Sequence, residues 1–236
     1  MKIISKSIFV IGYQFLRLFL KHNYLNKKPV AFNERAMEYQ FVFRQLTKFC
    51  PQHLLDVGSG KTALPALINN CGFKVTAIDN IKDFWPKGMI NHHYYIIDDN
   101  ILSTKLQNKF DMITCISVLE HIKDHARAMQ SMFRLLESGG HLILSFPYND
   151  TGYHPNVYDL QGSNAPKGLS YITQAFSRNE LDGWIRDNNA SIIEQEYWKY
   201  FAGDYWSVGE RLDFPVKASV KEPHQISTIL LKKTSG

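Results

Sequence analysis

The stretch Leu54–Asp79, LLDVGSGKTALPALINNCGFKVTAID, decides how this chain folds. Leu54 to Val57 is a short apolar run with one acid, Asp56, inside it. Gly58, Ser59 and Gly60 then make a turn that needs glycine's conformational freedom. Thr62 to Asn70 reads as a helix with Ala63, Leu64, Leu67 and Ile68 on its apolar face, and Gly72 is placed to stop it in the left-handed conformation. Phe73 to Ile78 is a second buried strand, with Asp79 at its carboxyl end. Two parallel strands joined by a crossover helix form a βαβ unit, and such sheets bind ligands at the carboxyl ends of their strands.

Three nucleotide chemistries compete for this unit. A phosphate loop is suggested by Gly60-Lys61-Thr62, but that pattern needs glycine five residues before Gly60, and Leu55 stands there. A dinucleotide site is allowed, because Gly58 to Ala63 satisfies G-x-G-x-x-A and Asp79 follows about 20 residues on. The third is adenosylmethionine. Here an acid (Asp56) stands two residues before the first glycine, and bare backbone at Gly58-Ser59-Gly60 lets the methionine moiety approach. Asp79, with Asn80 beside it, offers a carboxylate able to accept from two ribose hydroxyls.

Later residues choose between these. Tyr94 to Ile97 is a third apolar run closed by Asp98-Asp99-Asn100, where a carboxylate is placed to accept from an adenine amino group. Phe110 to Ile116 is a fourth strand running through Ser117 and Val118 into Leu119-Glu120-His121. A helix from Asp124 to Leu136 follows, then Ser138-Gly139-Gly140, then a fifth strand from His141 to Phe146. On these motifs, over about Leu54 to Phe146, the chain resembles the class I S-adenosylmethionine-dependent methyltransferases, in the branch whose fourth strand ends in Leu-Glu-His. The resemblance implies an α/β fold: a Rossmann-like, mostly parallel sheet of seven strands in order 3-2-1-4-5-7-6, the last strand antiparallel, with helices on both faces. It implies S-adenosylmethionine as cofactor, held by Asp56, Gly58, Ser59, Gly60, Asp79, Asn80, Asp98, Asp99, Asn100, Ser117 and Val118.

Bulk properties fit one such domain. The 236 residues are 44% hydrophobic and 21% charged, with net charge +5 and pI near 9.0. That balance permits an anionic partner without requiring one. Nucleic acid is not expected, because no Lys/Arg stripe or appended binding domain is present. Cys50, Cys71 and Cys115 lack metal-ligand spacing, so no metal site is expected and the thiols read as reduced, in a cytosol-facing protein.

The first 30 residues stand apart as a helix and linker, ahead of a catalytic domain over 31–236. Ile8 to Leu20 is apolar except for Gln14 and Arg17, too short and interrupted to span a bilayer. Lys2 and Lys6 before it mimic a signal peptide, but no small-residue cleavage site follows. On a helix Ser7, Gln14, Arg17 and Lys21 share one side and Ile8, Ile11, Phe15, Leu18 and Phe19 the other. Residues 6–21 therefore suit an interfacial helix at the inner face of a membrane, or a helix packed on protein. Asn33 is read as the cap of a further helix to about Phe49. The resemblance makes that helix a lid from which Glu38 and Tyr39 reach the cofactor. Ile81 or Trp85 is expected to pack on adenine.

Two aromatic, polar stretches, 147–176 and 199–224, are read as loops that recognise substrate. They offer Tyr148, Asn149, Tyr153, His154, Arg178 and Trp206. Ser177 to Glu180 is a capping box opening a helix. Ser191 to Trp198 and His224 to Lys232 are the last two strands.

The chemistry is in-line methyl displacement, in which the protein positions and desolvates. A hydroxyl nucleophile needs a base, and His121, at the fourth strand's end, is the candidate. The alternative is a helix-start histidine that holds Glu120 or a carbonyl. Methyltransferases acting on nucleobase or glutamine amino groups carry Asn-Pro-Pro-Tyr where Ser117-Val118-Leu119-Glu120 stands here. Oxygen methylation of a sugar or other polyhydroxylated acceptor is therefore favoured, with a likeness to bacterial surface-polysaccharide methyltransferases. A small metabolite, RNA, or cofactor binding without catalysis remain open.

Overall fold

The computed structural model describes residues 2–26, 32–83 and 89–234. The expected linker at Lys27-Lys28-Pro29 and the adenine-packing Trp85 lie outside them. The chain divides into two compact units, Met1–Asn33 and Glu34–Gly236.

In the first unit, helix α1 runs Lys2–Leu25. Ile11, Phe15, Leu18 and Phe19, which share the apolar side, are exposed, and so are Tyr13 and Leu16. Among the described residues no helix is long and apolar enough to cross a membrane.

The second unit is built on one eight-stranded sheet in the order β3-β2-β1-β4-β5-β8-β6-β7. The strands are β1 His53–Val57, β2 Lys74–Asp79, β3 Ile97–Asp98, β4 Phe110–Ile116, β5 Leu136–Pro147, β6 Ala190–Phe201, β7 Arg211–Ala218 and β8 Ile226–Lys233. β1 pairs parallel with β2 and β4, and β4 parallel with β5. β8 runs antiparallel between β5 and β6. The order through β6 is the one expected. The added strand β7 corrects the expectation of a loop over 199–224. β7 pairs antiparallel with β6 at the sheet's edge. Its Pro215 cannot donate to a ladder, which suits an edge position and also hid the strand from a pattern reading.

Alternation along the strands explains the two buried faces. Leu55, Ile113, Leu142 and Leu144 face α4 (His125–Leu135) and α5 (Arg178–Asp187), packing on Met129, Met132, Leu181 and Trp184. Their neighbours Leu54, Met112 and Ile143 face α2 (Arg35–Phe49) and α3 (Leu64–Asn70), packing on Phe41, Val42, Leu46 and Ile68.

Local differences have physical causes. α2 starts at Arg35 with Glu34, not Asn33, as N-cap, and no side chain caps it. α3 starts two residues later than expected, after Thr62 has closed a turn onto Ser59. β5 begins at Leu136 instead of His141. Phe110 pairs with Leu136 and Met112 with His141, so residues 137–140 bulge out of the ladder, with Gly139 at φ +76°. The capping box of α5 is present as read, with Ser177 and Glu180 bonding reciprocally.

Candidate active site

The carboxyl ends of β1, β2 and β4 meet at the glycine turn. Gly58 has φ +74° and Gly60 φ +52°. A Cβ on Gly58 would lie 2.4 Å from the Val118 methyls, so only glycine fits beneath that side chain. Gly60 N–H donates to Asp79 Oδ2 at 2.7 Å, joining the turn to the end of β2. Asn91 Nδ2 braces the turn from outside, donating at 2.9 Å to the carbonyls of Gly60 and Thr62. Nothing in the sequence pattern singled out Asn91.

Asp56 is buried and its two oxygens accept from Ser59 Oγ (2.6 Å) and Thr114 Oγ1 (2.7 Å). It shapes the turn from beneath. Burial pushes its pKa up to about 6 despite those two donors. Asp79 is also raised by burial, against donation from the backbone of Gly60 and Asn80.

β2 and β3 pair Asp79 with Asp98. Asp98 faces outward and pairs with Lys82 at 3.6 Å. Asp99 Oδ1 accepts from Asn100 N–H (2.9 Å) and Oδ2 from Thr104 Oγ1 (2.6 Å). Asn100 Oδ1 caps the next short turn through Leu102 N–H. The triplet Asp98-Asp99-Asn100 is thus assembled at the strand ends, with Asp99 and Asn100 partly engaged in their own loop. Ile81, two residues past Asp79, is half-buried.

A cleft lined by Arg35, Tyr39, Asp56, Gly58, Ser59 and Ile116 opens beside the turn. Arg35 was not foreseen. Tyr39 lines this cleft, whereas Glu38 turns inward and is fully buried. A second hollow lies at the opposite, amino-terminal end of the strands, between Phe49, Asp111, His141 and the 137–140 bulge. It holds none of the expected site residues.

His121 closes a short turn, Leu119–His121, after β4. Its Nδ1 lies 2.7 Å from the carbonyl of Ile172. A carbonyl only accepts, so Nδ1 carries the proton and Nε2 keeps its lone pair. Nε2 is 3.9 Å from Glu120 Oε1. Burial, partly offset by the Ile172 carbonyl, lowers the His121 pKa below the ordinary 6.5. Glu120 is buried and its Oε2 has no hydrogen-bond partner among the described residues. Burial raises it to about 8, against donation by its own backbone N–H. Tyr171 meets His121 edge-on at 4.9 Å. Tyr158 packs on Tyr171, and burial raises its hydroxyl pKa, partly offset by Thr173 and Trp206.

The late-loop residues divide. Trp206 joins this aromatic wall and packs on Tyr200 and Phe201. Tyr148 is fully buried and donates to Asp150 at 2.7 Å. Asn149 staples the two loops, accepting from Thr151 and Gly152 N–H and donating to the Asp204 carbonyl. Tyr153 donates to Gln174. His154 Nδ1 accepts from Asn156 N–H. Arg178 sits between Asp150, Gln195 and Tyr197. These residues order the loops; His121, Glu120, Tyr158, Tyr171 and Trp206 are brought together. No group of three or more metal-ligating side chains occurs among the described residues.

A family described as "Methyltransferase domain" matches residues 29–195. The chain belongs to that family, within the class I S-adenosylmethionine-dependent methyltransferases. A ubiquinone biosynthesis O-methyltransferase of Coxiella burnetii is 28% identical over 155 residues, covering 61% of this chain and 65% of that protein. The relative of the same name from Alkalilimnicola ehrlichii is 30% identical over 149 residues, covering 58% and 59%. The matched region thus spans less than two thirds of these relatives. Among solved structures, an S-adenosylmethionine-dependent methyltransferase from Clostridium acetobutylicum superposes with TM-score 0.53 at 13% identity, covering 96% of this chain and all of that one. The Burkholderia thailandensis 1,6-didemethyltoxoflavin N1-methyltransferase does so with TM-score 0.52 at 14% identity, covering 89% and 93%. Identities this low speak for the fold alone.

The methyltransferase site fits the cofactor on its own geometry. Its lining offers bare backbone at Gly58 and Gly60, a strand-end carboxylate at Asp79 and a cation at Arg35.

Proposed function

We propose that this methyltransferase transfers a methyl group from S-adenosylmethionine to a hydroxyl oxygen of a small, polyhydroxylated, ring-bearing acceptor, a sugar being the favoured class. The observation that carries this is the state of His121. A neutral imidazole has its tautomer set by the Ile172 carbonyl, which leaves Nε2 unprotonated, and its ring meets Tyr171 edge-on. A hydroxyl must lose its proton as it is methylated, and a neutral histidine takes it. A neutral amine is the stronger nucleophile and gives a stable ammonium on methylation, so its proton need not leave in the same step.

S-adenosylmethionine supplies an electrophilic methyl on a sulfonium. Residues of this chain do the rest. Asp79 holds the ribose hydroxyls, Asp99 and Asn100 stand at the adenine edge, and Gly58 to Gly60 admit the methionine moiety. Arg35 meets its carboxylate, and Ser117 and Val118 wall the site from β4. Tyr158, Tyr171 and Trp206 offer faces on which a ring stacks, and the Glu120 carboxyl, neutral near pH 7, offers a hydrogen bond to a neighbouring oxygen. The curated relatives named O-methyltransferases support oxygen as the methylated atom.

Mass spectrometry of the labelled product tests this. A methyl ether is expected, and a methylamine contradicts it. The exposed apolar side of α1 supports a second element: association with a lipid surface, which would bring the enzyme to a membrane-held acceptor.

A further inference from the structure

Ser117, the first residue after β4, has φ +51°, a left-handed conformation that side-chain-bearing residues seldom hold. Three contacts hold it there. Its N–H donates to the Ser145 carbonyl and lies 3.0 Å from Ser145 Oγ. Its Oγ donates to Glu38 Oε1 at 2.6 Å. Ser145 Oγ donates to the same oxygen at 2.7 Å. The other carboxylate oxygen, Glu38 Oε2, is paired with Arg35 Nη1 at 2.8 Å, and that guanidinium nitrogen reaches the Ile116 carbonyl at 3.5 Å. Glu38 is wholly buried. One carboxylate of α2 thus pins the carboxyl ends of β4 and β5.

The consequence falls on the cofactor turn. The left-handed step at Ser117 directs Val118 across Gly58, so closely that a Cβ there would meet both Val118 methyls. From Glu38 the contacts run through Ser117 and Val118 to Gly58. We propose that Glu38 is a positioning residue, whose Arg35-paired carboxylate keeps Ser117 left-handed and thereby sets Val118 against the glycine turn in the geometry that binds S-adenosylmethionine. This rests on the cofactor assignment above. It gives Glu38 a role different from the direct contact expected of a lid helix. It also ties Arg35, at the cleft mouth, to the same carboxylate.

A double-mutant cycle on Glu38→Gln and Ser117→Gly tests the proposal, because glycine holds a left-handed conformation without outside help. The amide of Glu38→Gln has no charge to pair with Arg35 and reverses the donor–acceptor sense toward the two serine hydroxyls, so both sets of contacts are weakened. Calorimetric titration with S-adenosylmethionine should show Glu38→Gln weakening binding roughly tenfold in the otherwise natural chain, and no more than about threefold in the Ser117→Gly background. Equal losses in both backgrounds overturn the proposal. Thermal midpoints of the four ligand-free proteins give a second readout, and additive shifts there overturn it as well. Should Glu38→Gln fail to fold, Ser145→Ala replaces it in the same cycle, removing one donor to the shared oxygen without disturbing the charge pair. A natural chain that does not bind S-adenosylmethionine overturns the cofactor assignment, and the ligand-free midpoints alone then decide whether Glu38 holds Ser117.

Discussion

Asp79 accepts from the backbone N–H of Gly60 at 2.7 Å, so one carboxylate both closes the glycine turn and stands at the end of β2 where a ribose is expected. Replacing it removes a ligand contact and loosens the turn together. Asp79→Ala should weaken S-adenosylmethionine binding by at least ~1.4 kcal/mol, a tenfold change. Unchanged affinity by calorimetry would remove Asp79 from the site.

The base proposed here, His121, can act only when neutral, and burial holds its pKa below 6.5. The acid limb of kcat should therefore lie below pH 6.5, with activity maintained at neutral pH and falling as His121 gains a proton. His121→Ala should lower kcat by roughly a hundredfold or more, remove that limb and leave S-adenosylmethionine affinity nearly intact. An unaltered pH profile in the variant would assign the limb to another group.

Glu120 predicts a pH dependence of stability. Its folded pKa of about 8 lies above its ordinary 4.5, so between those values the folded state binds more protons than the unfolded state. The contribution is complete below pH 4.5 and is lost as pH rises through 8. Thermal midpoints should fall from pH 6 to pH 9, and Glu120→Gln should flatten that fall. A steeper fall in the variant would contradict the assignment.

The Ser177–Glu180 capping box closes the start of α5: Glu180 Oε2 accepts from Ser177 N–H at 2.9 Å, and Ser177 Oγ accepts from Asn179 N–H at 3.3 Å. Ser177→Ala should cost about 1 kcal/mol, lowering the thermal midpoint by roughly 2–4 °C while leaving S-adenosylmethionine affinity untouched. No shift in the midpoint would mean that the helix start is held by packing instead.

For α1, a chain starting near Lys28 should lose co-sedimentation with anionic vesicles if the exposed apolar side meets lipid. Retained binding places the contact elsewhere. Insolubility of the shortened chain shows that the helix covers protein.

Apolar runs made β1, β2, β4 and β5 legible, and the family resemblance supplied their order; β3 was less so, since only Ile97 of the expected Tyr94–Ile97 run joins Asp98 in pairing with β2 and both are exposed. The glycine turn and Asp79 were legible because each needs a residue type that few positions tolerate. β7 was not, since Pro215 breaks the pattern and only pairing with β6 makes the segment a strand. The roles of Asn91, Arg35 and Glu38 depend on side chains meeting across 29 to 107 residues of chain, and spacing along the sequence does not encode that. Tyr148 and Arg178 looked like substrate groups because they are aromatic and charged near a strand end. Folding instead gives the Tyr148 hydroxyl to Asp150 and sets Arg178 between Asp150, Gln195 and Tyr197.

The most direct test is transfer of labelled methyl from S-adenosylmethionine into fractionated lysate, with Asp79→Ala as the blank. Label in a glycan or small-molecule fraction, present with the natural chain and absent with the variant, is the predicted result. Cofactor bound with no label transferred to any fraction would contradict the proposed activity.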